Sequence, residues 1–297
     1  MTTPNVAALL PSGLQAGCRS PATRERAGAR SVRAHPPKRA FSRLGAARRR
    51  LRYGLNLVRR FVQGVLFYVL LGHLAAMSLT WNLVAALLYP FLSRENGIVV
   101  GRAAISSVYR GFWTSAQWCG LMRIDYEALD VLSRDAGLII AANHPSMLDA
   151  LLIVARVPRG ICIMRASLMR NPFLGAGSRL ARYIRNDPPR GMIRSAVANL
   201  KAGGQLVLFP EGTRTIRAPI NPFRPGITLI AHMAQVPIQT VIIETDSPYL
   251  GKGWPIWRTP EFPVVIHARL GERFAPEADH QGLLKRLEAY FARELAA

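Results

Sequence analysis

Two short runs in this chain place polar, reactive side chains directly behind apolar stretches. The first reads Ala141-Ala142-Asn143-His144-Pro145-Ser146-Met147-Leu148-Asp149 and follows the apolar run Gly137–Ala142. His144 falls in the turn and Asp149 at the start of the helix that the pattern predicts beyond it. Such a turn can fold the imidazole back onto the carboxylate. That contact would fix the tautomer, stabilise imidazolium and leave the second ring nitrogen as a general base. Alone, the pair also has a plain structural reading, a histidine that caps a helix or fills a core. The second run, Phe209-Pro210-Glu211-Gly212-Thr213-Arg214, follows the apolar stretch Gln205–Phe209. Gly212 permits close backbone approach, Arg214 can clamp a phosphate through paired hydrogen bonds, and Glu211 can accept from a substrate hydroxyl. The plain alternative there is a turn closed by an Arg–Glu ion pair.

Taken together and in this order, the two runs resemble signature blocks of the lysophospholipid (glycerol-phosphate) acyltransferase family. The resemblance extends to Phe223-Arg224-Pro225-Gly226 and Val236-Pro237-Ile238, and covers roughly residues 110–245. It implies that His144, assisted by Asp149, deprotonates an acceptor hydroxyl that attacks the thioester of acyl-CoA or acyl carrier protein directly. It carries Glu211, Gly212, Thr213, Arg214 and Arg224 over as acceptor-binding residues, with backbone amides near Gly212 facing the oxyanion. It implies no metal and no cofactor beyond the acyl donor. Ser146, two residues from His144, does not have the spacing of a triad nucleophile. One segment departs from the family pattern. Relatives that acylate phosphate-bearing acceptors usually carry an Ile-Asp-Arg-like segment where this chain reads Tyr183-Ile184-Arg185-Asn186-Asp187. Arg185 is the residue that can supply the phosphate contact there. The fourth block also continues Gln239-Thr240, where a proline is common. The departures leave the chemistry intact but weaken the case for lysophosphatidate, which stays the leading acceptor, with lyso-ornithine lipid or a carrier-bound polyene-type lipid as alternatives.

The elements that must hold these residues alternate. Gly137–Ala142, Gly160–Met164, Gln205–Phe209, Val236–Glu244 and Phe262–Leu270 read as strands; Met147–Ala155, Arg190–Ala202, Ile227–Ala234 and a stretch from about Glu277 to Leu295 read as helices. This predicts an α/β fold, a mixed, largely parallel sheet flanked by helices, over residues 97–297.

Residues 1–42, rich in Ala, Arg, Pro, Gly and Ser, read as a disordered basic tail. Residues 43–96 read as amphipathic and membrane-associated helices. Leu51, Leu55, Val58 and Val62 form one apolar stripe among Arg48, Arg49, Arg50, Arg52, Arg59 and Arg60, as suits an anionic headgroup layer. No charged residue lies between Arg60 and Arg94, a run that as helix would reach roughly 48 Å against about 30 Å of hydrocarbon. The positive-inside rule keeps the arginines cytoplasmic. A hairpin broken near Gly72–His73 or Trp81–Asn82 would then return the catalytic residues to the cytoplasmic face of a bacterial inner membrane.

The net charge of +22 demands an anionic partner. Residues 1–60 hold 14 Arg or Lys against Glu25 alone, about +13 of the total. A nucleic-acid-binding scaffold is the competing class. Only Phe41 and Tyr53 interleave the arginines, too few for base stacking, and the adjoining uncharged run favours anionic membrane lipids over nucleic acid. The expected partners are therefore such lipids, the thioester donor and a lysolipid acceptor. The three scattered cysteines, Cys18, Cys119 and Cys162, read as free thiols. His35, His232 and His267 lack a nearby Cys or acid at ligand spacing and read as structural. Tyr249, Trp254, Trp257, Lys252 and Arg258 form either an interfacial aromatic patch or a plain surface loop.

Overall fold

The computed structural model describes residues 38–296. Two compact units meet in sequence at Tyr53–Gly54. The first is described only over residues 38–53, where the chain is helical and Arg48, Arg49, Arg50 and Arg52 are exposed. The expected tail over residues 1–42 lies, up to residue 37, outside the described residues.

Helix α1 spans Lys38–Leu88, and α2 spans Arg94–Trp118. The break expected near Gly72–His73 or Trp81–Asn82 is absent, and α1 runs through both places. Asn82 does not interrupt the helix because its side chain is buried and satisfied: its amide donates to the carbonyls of Ser78 and Phe173, and its oxygen accepts from Gly177 N at 2.9 Å. The chain turns at Tyr89–Ser93 instead. Pro90 lacks an amide proton and disfavours helical geometry at Tyr89, and Ser93 then caps α2, its Oγ accepting from Asn96 N at 3.2 Å. The expected division at residues 96 and 97 falls inside α2, which packs on the α/β core. Within the described residues α1 is the one helix long and apolar enough to cross a membrane. Its most apolar window is only 17% buried, unlike a soluble core helix.

Seven strands follow: β1 Met122–Asp125, β2 Leu138–Ala142, β3 Gly160–Met164, β4 Ile184–Arg185, β5 Gln205–Leu208, β6 Ile238–Thr245 and β7 Val264–Phe274. Between them lie α3 Asp149–Arg156, α4 Gly175–Leu180, α5 Pro189–Lys201 and α6 Gly226–Ala234, and α7 His280–Ala296 closes the chain. The sheet order is β1-β7-β6-β2-β5-β3-β4. All neighbours are parallel except β6 and β7. The mixed, largely parallel sheet expected from the sequence is the one found; β1, β4, α2 and α4 are additions, each too short or too polar-interrupted to stand out.

Every side chain of β2 is buried, because both sheet faces are covered. Leu138, Ile140 and Ala142 join a core with Phe67 of α1, Trp113 of α2 and Leu152 of α3. Ile139 and Ala141 join the opposite core, with Ile227 of α6 and Leu283 and Phe291 of α7. That period of two fixes the register of β2. Its carboxyl end, together with those of parallel β5 and β6, opens on the edge where ligands meet parallel sheets.

Candidate active site

His144 begins two residues beyond β2, and Asp149 is the first residue of α3. His144 Nδ1 lies 2.8 Å from Asp149 Oδ2, with the histidine side chain 18% exposed and the carboxylate 3%. The same carboxylate oxygen accepts from Ser146 N at 2.8 Å. Burial pushes the Asp149 carboxyl above its usual range, against the opposing pull of the His144 hydrogen bond and the Ser146 amide. A buried carboxylate of this kind is a strong partner for an imidazolium. His144 Nε2 makes no hydrogen bond among the described residues, and the ring stacks on Phe209 at 4.1 Å between centroids, 19° from parallel.

The turn is braced from three directions. Asn143 acts as a side-chain extension of the ladder, donating to Ile243 O at 2.7 Å and accepting from Ile243 N at 2.8 Å. The loop after β6 holds the far side: Ser146 Oγ donates to Tyr249 O at 3.0 Å and Met147 N to Leu250 O at 3.1 Å. Ser146 is buried, and its hydroxyl is occupied by Tyr249 and by Leu148 N rather than turned to a substrate. A cavity of about 10 Å³ beside Ser146, Asp149, Thr245 and Tyr249 leaves the back of the pair closely packed.

The third brace is the Glu211 loop, and its geometry differs from the sequence expectation. Glu211 is buried, with both oxygens used by the chain itself. Oε1 accepts from His144 N at 3.0 Å and from Thr215 Oγ1 at 2.7 Å; Oε2 accepts from Asn221 N at 2.9 Å. Thr215 N completes the strap by donating to His144 O at 2.8 Å. Three donors occupy most of the four acceptor sites of this buried carboxylate, and it forms no ion pair with Arg214. Arg214 is likewise engaged: Nη1 donates to Leu250 O at 2.7 Å and Gly251 O at 2.9 Å. These carbonyls are presented by Leu250, a non-glycine residue held at φ +57°.

Gly212 has φ +68° and carries Arg224 directly over it. A Cβ at Gly212 would overlap the Arg224 side chain from Nε to Cδ. Only glycine serves both the left-handed backbone and the close approach. The Arg224 guanidinium is exposed and makes no hydrogen bond among the described residues. Thr213 Oγ1 accepts from Lys252 Nζ at 3.0 Å. Arg185, on the edge strand β4, is exposed and pairs with Asp187 at 3.4 Å. The structure thus gathers His144, Asp149, Glu211, Gly212, Thr213, Arg214 and Arg224 around one turn and leaves Arg185 with a partner of its own.

Sequence reasoning quoted Asn143 and Phe209 in their runs without giving either a site role, and passed over Thr215 and Asn221. Asn221 organises the loop, its Oδ1 accepting from Ile216 N and Arg217 N and its amide donating to Arg214 O. The pair Asn221-Pro222 carried that signal, since asparagine side chains before proline commonly replace backbone partners in turns.

Residues 123–244 match the family model described as Acyltransferase. The chain is 32% identical over 112 residues to a 1-acyl-sn-glycerol-3-phosphate acyltransferase of Cocos nucifera, covering 35% of this chain and 36% of the relative. It is 24% identical over 204 residues to the protein of that name in Limnanthes alba, covering 64% and 66%. It is 27% identical over 201 residues to lysophosphatidylcholine acyltransferase 1 of Rattus norvegicus, covering 62% and 35%. The matches therefore span from about a third to just under two thirds of these relatives' lengths. The crystal structure of the 1-acyl-sn-glycerophosphate (LPA) acyltransferase PlsC from Thermotoga maritima shares the fold, with TM-score 0.58, 21% identity, and coverage of 80% of this chain and 95% of that one.

Proposed function

We propose that this chain, which carries an acyltransferase domain of the 1-acylglycerol-3-phosphate and lysophospholipid acyltransferase family, moves a fatty acyl group from a thioester to the hydroxyl of a membrane lysolipid. The observation that carries the reading is the contact of His144 with the buried Asp149 carboxylate, with Nε2 left uncommitted. Asp149 holds the Nδ1 proton, so Nε2 is basic. It takes the proton of the acceptor hydroxyl as that oxygen attacks the thioester carbonyl. The tetrahedral intermediate collapses with loss of thiolate, and the imidazolium, paired with Asp149, returns its proton to the sulfur. Phe209 and the Glu211 strap hold the ring in register. The reading needs no bound cofactor; acyl-CoA or acyl carrier protein enters as a substrate.

The leading acceptor is 1-acyl-sn-glycerol-3-phosphate, giving phosphatidate, supported by the relatives' names and by the unpartnered Arg224. A second acceptor, such as lyso-ornithine lipid, is favoured by one observation: Arg185 and Arg214 are both engaged by the chain itself. The arginine-rich first turns and exposed apolar face of α1 support seating at the cytoplasmic face of a bacterial membrane. The test is a panel of lysophosphatidate, lysophosphatidylcholine and lyso-ornithine lipid, each with a labelled acyl thioester and the full chain in detergent micelles. The expected result is labelled diacyl product, most from lysophosphatidate; no acylated lipid from any acceptor overturns the reading.

A further inference from the structure

The loop between β6 and β7 does more than brace the catalytic turn. Its carbonyls at Tyr249, Leu250 and Gly251 are tied to Ser146, Met147 and Arg214, and Tyr249 packs edge-on against Phe67 of α1 at 5.6 Å. From this fixed base the chain projects Gly251-Lys252-Gly253, with Gly253 at φ +86°. The loop lies beyond residues 123–244, so no part of the family pattern accounts for Lys252. Its ammonium is exposed and meets only a neutral hydroxyl, Thr213 Oγ1, leaving two of its three donors unused. On the neighbouring residue, Gly212, lies the Arg224 guanidinium, also without a partner. The one carboxylate of this loop, Glu211, is buried beneath with both oxygens taken. Among the described residues, two cations thus flank Gly212–Thr213 with no counter-ion, on the loop whose Glu211 accepts from the His144 amide.

The geometry points to Lys252 as an acceptor-specificity residue, closing with Arg224 on a phosphate monoester held over Gly212–Thr213. A monoester carries close to two negative charges near neutrality, against one on a phosphodiester, and a choline headgroup adds a positive charge that two cations repel. Lys252 therefore selects a phosphomonoester lysolipid over a zwitterionic one. This rests on the acyl-transfer reading above, so its test has two arms. In the kinetic arm, Lys252→Ala should lower the ratio of kcat/KM for lysophosphatidate over lysophosphatidylcholine about tenfold, through KM for lysophosphatidate, and Lys252→Arg should recover most of the ratio. An unchanged ratio overturns the assignment. The binding arm needs no turnover: lysophosphatidate in neutral detergent micelles is titrated into His144→Ala protein with and without Lys252→Ala. About tenfold weaker binding of the double variant supports the clamp even where the wild type transfers no acyl group, and equal binding overturns it.

Discussion

The His144 turn and the cationic rim across Gly212 sit side by side, yet they are built in opposite ways. Around His144 nearly every polar group is buried and answered: Asp149 by two donors, Glu211 by three, Asn143 by the N–H and the C=O of Ile243. Across the rim, Arg224 and Lys252 are exposed cations with a single neutral partner between them. On the proposed function, the difference separates two jobs. Proton transfer needs a ring held within fractions of an ångström, so the chain satisfies its own polar groups to keep the ring still. Recognition of a charged headgroup needs donors that the protein itself has not used.

Substitutions should respect that division. On the braced side, Asp149→Asn should cost the most, on the order of 10²–10⁴-fold in kcat, with the acceptor KM little moved. Steady-state kinetics on protein with an unaltered circular dichroism spectrum would check this, and a change confined to KM would break the division. Next, Glu211→Ala strands three buried donors, at about 1–3 kcal/mol each before relaxation. A clear drop in thermal midpoint is expected, together with lost activity; activity lost at full stability would instead return Glu211 to the substrate. On the rim, Arg224→Ala should raise KM for lysophosphatidate about tenfold, as expected for a hydrogen bond to a charged group, while kcat at saturation stays near wild type. The smallest effect is a control on packing. Burial pushes the Cys162 thiol up to about 12, so at pH 8 roughly one in ten thousand is thiolate, the reactive form. Peptide mapping after alkylation should find exposed Cys119 modified and Cys162 intact.

Much of the braced side was legible in the sequence because its parts are local. Strands β2 and β5 are unbroken apolar runs, and the reactive residues follow them at once, so strand, turn and helix start could be read from neighbours in the chain. Contacts across the sheet were not legible in this way. That Glu211 serves His144 N depends on β2 and β5 being adjacent, and that Arg214 serves Leu250 depends on a loop that no periodicity describes. The internal partners of Glu211 at His144 and of Arg214 at Leu250, dozens of residues away in the chain, therefore left no trace in the sequence. The helical segment failed for a different reason. Gly72, His73 and Asn82 look like breakers in isolation, but α1 stays whole, with His73 meeting Ser115 of α2 and Asn82 meeting Gly177 of α4, while Pro90 and Ser93 set the turn.

The most direct test of the central claim is acyl transfer by the wild type beside His144→Ala, each in detergent micelles with lysophosphatidate and a labelled acyl thioester. Labelled phosphatidate is expected from the wild type and a rate at least about a hundredfold lower from the variant, with both proteins equally folded. Turnover by His144→Ala at the wild-type rate would contradict the claim.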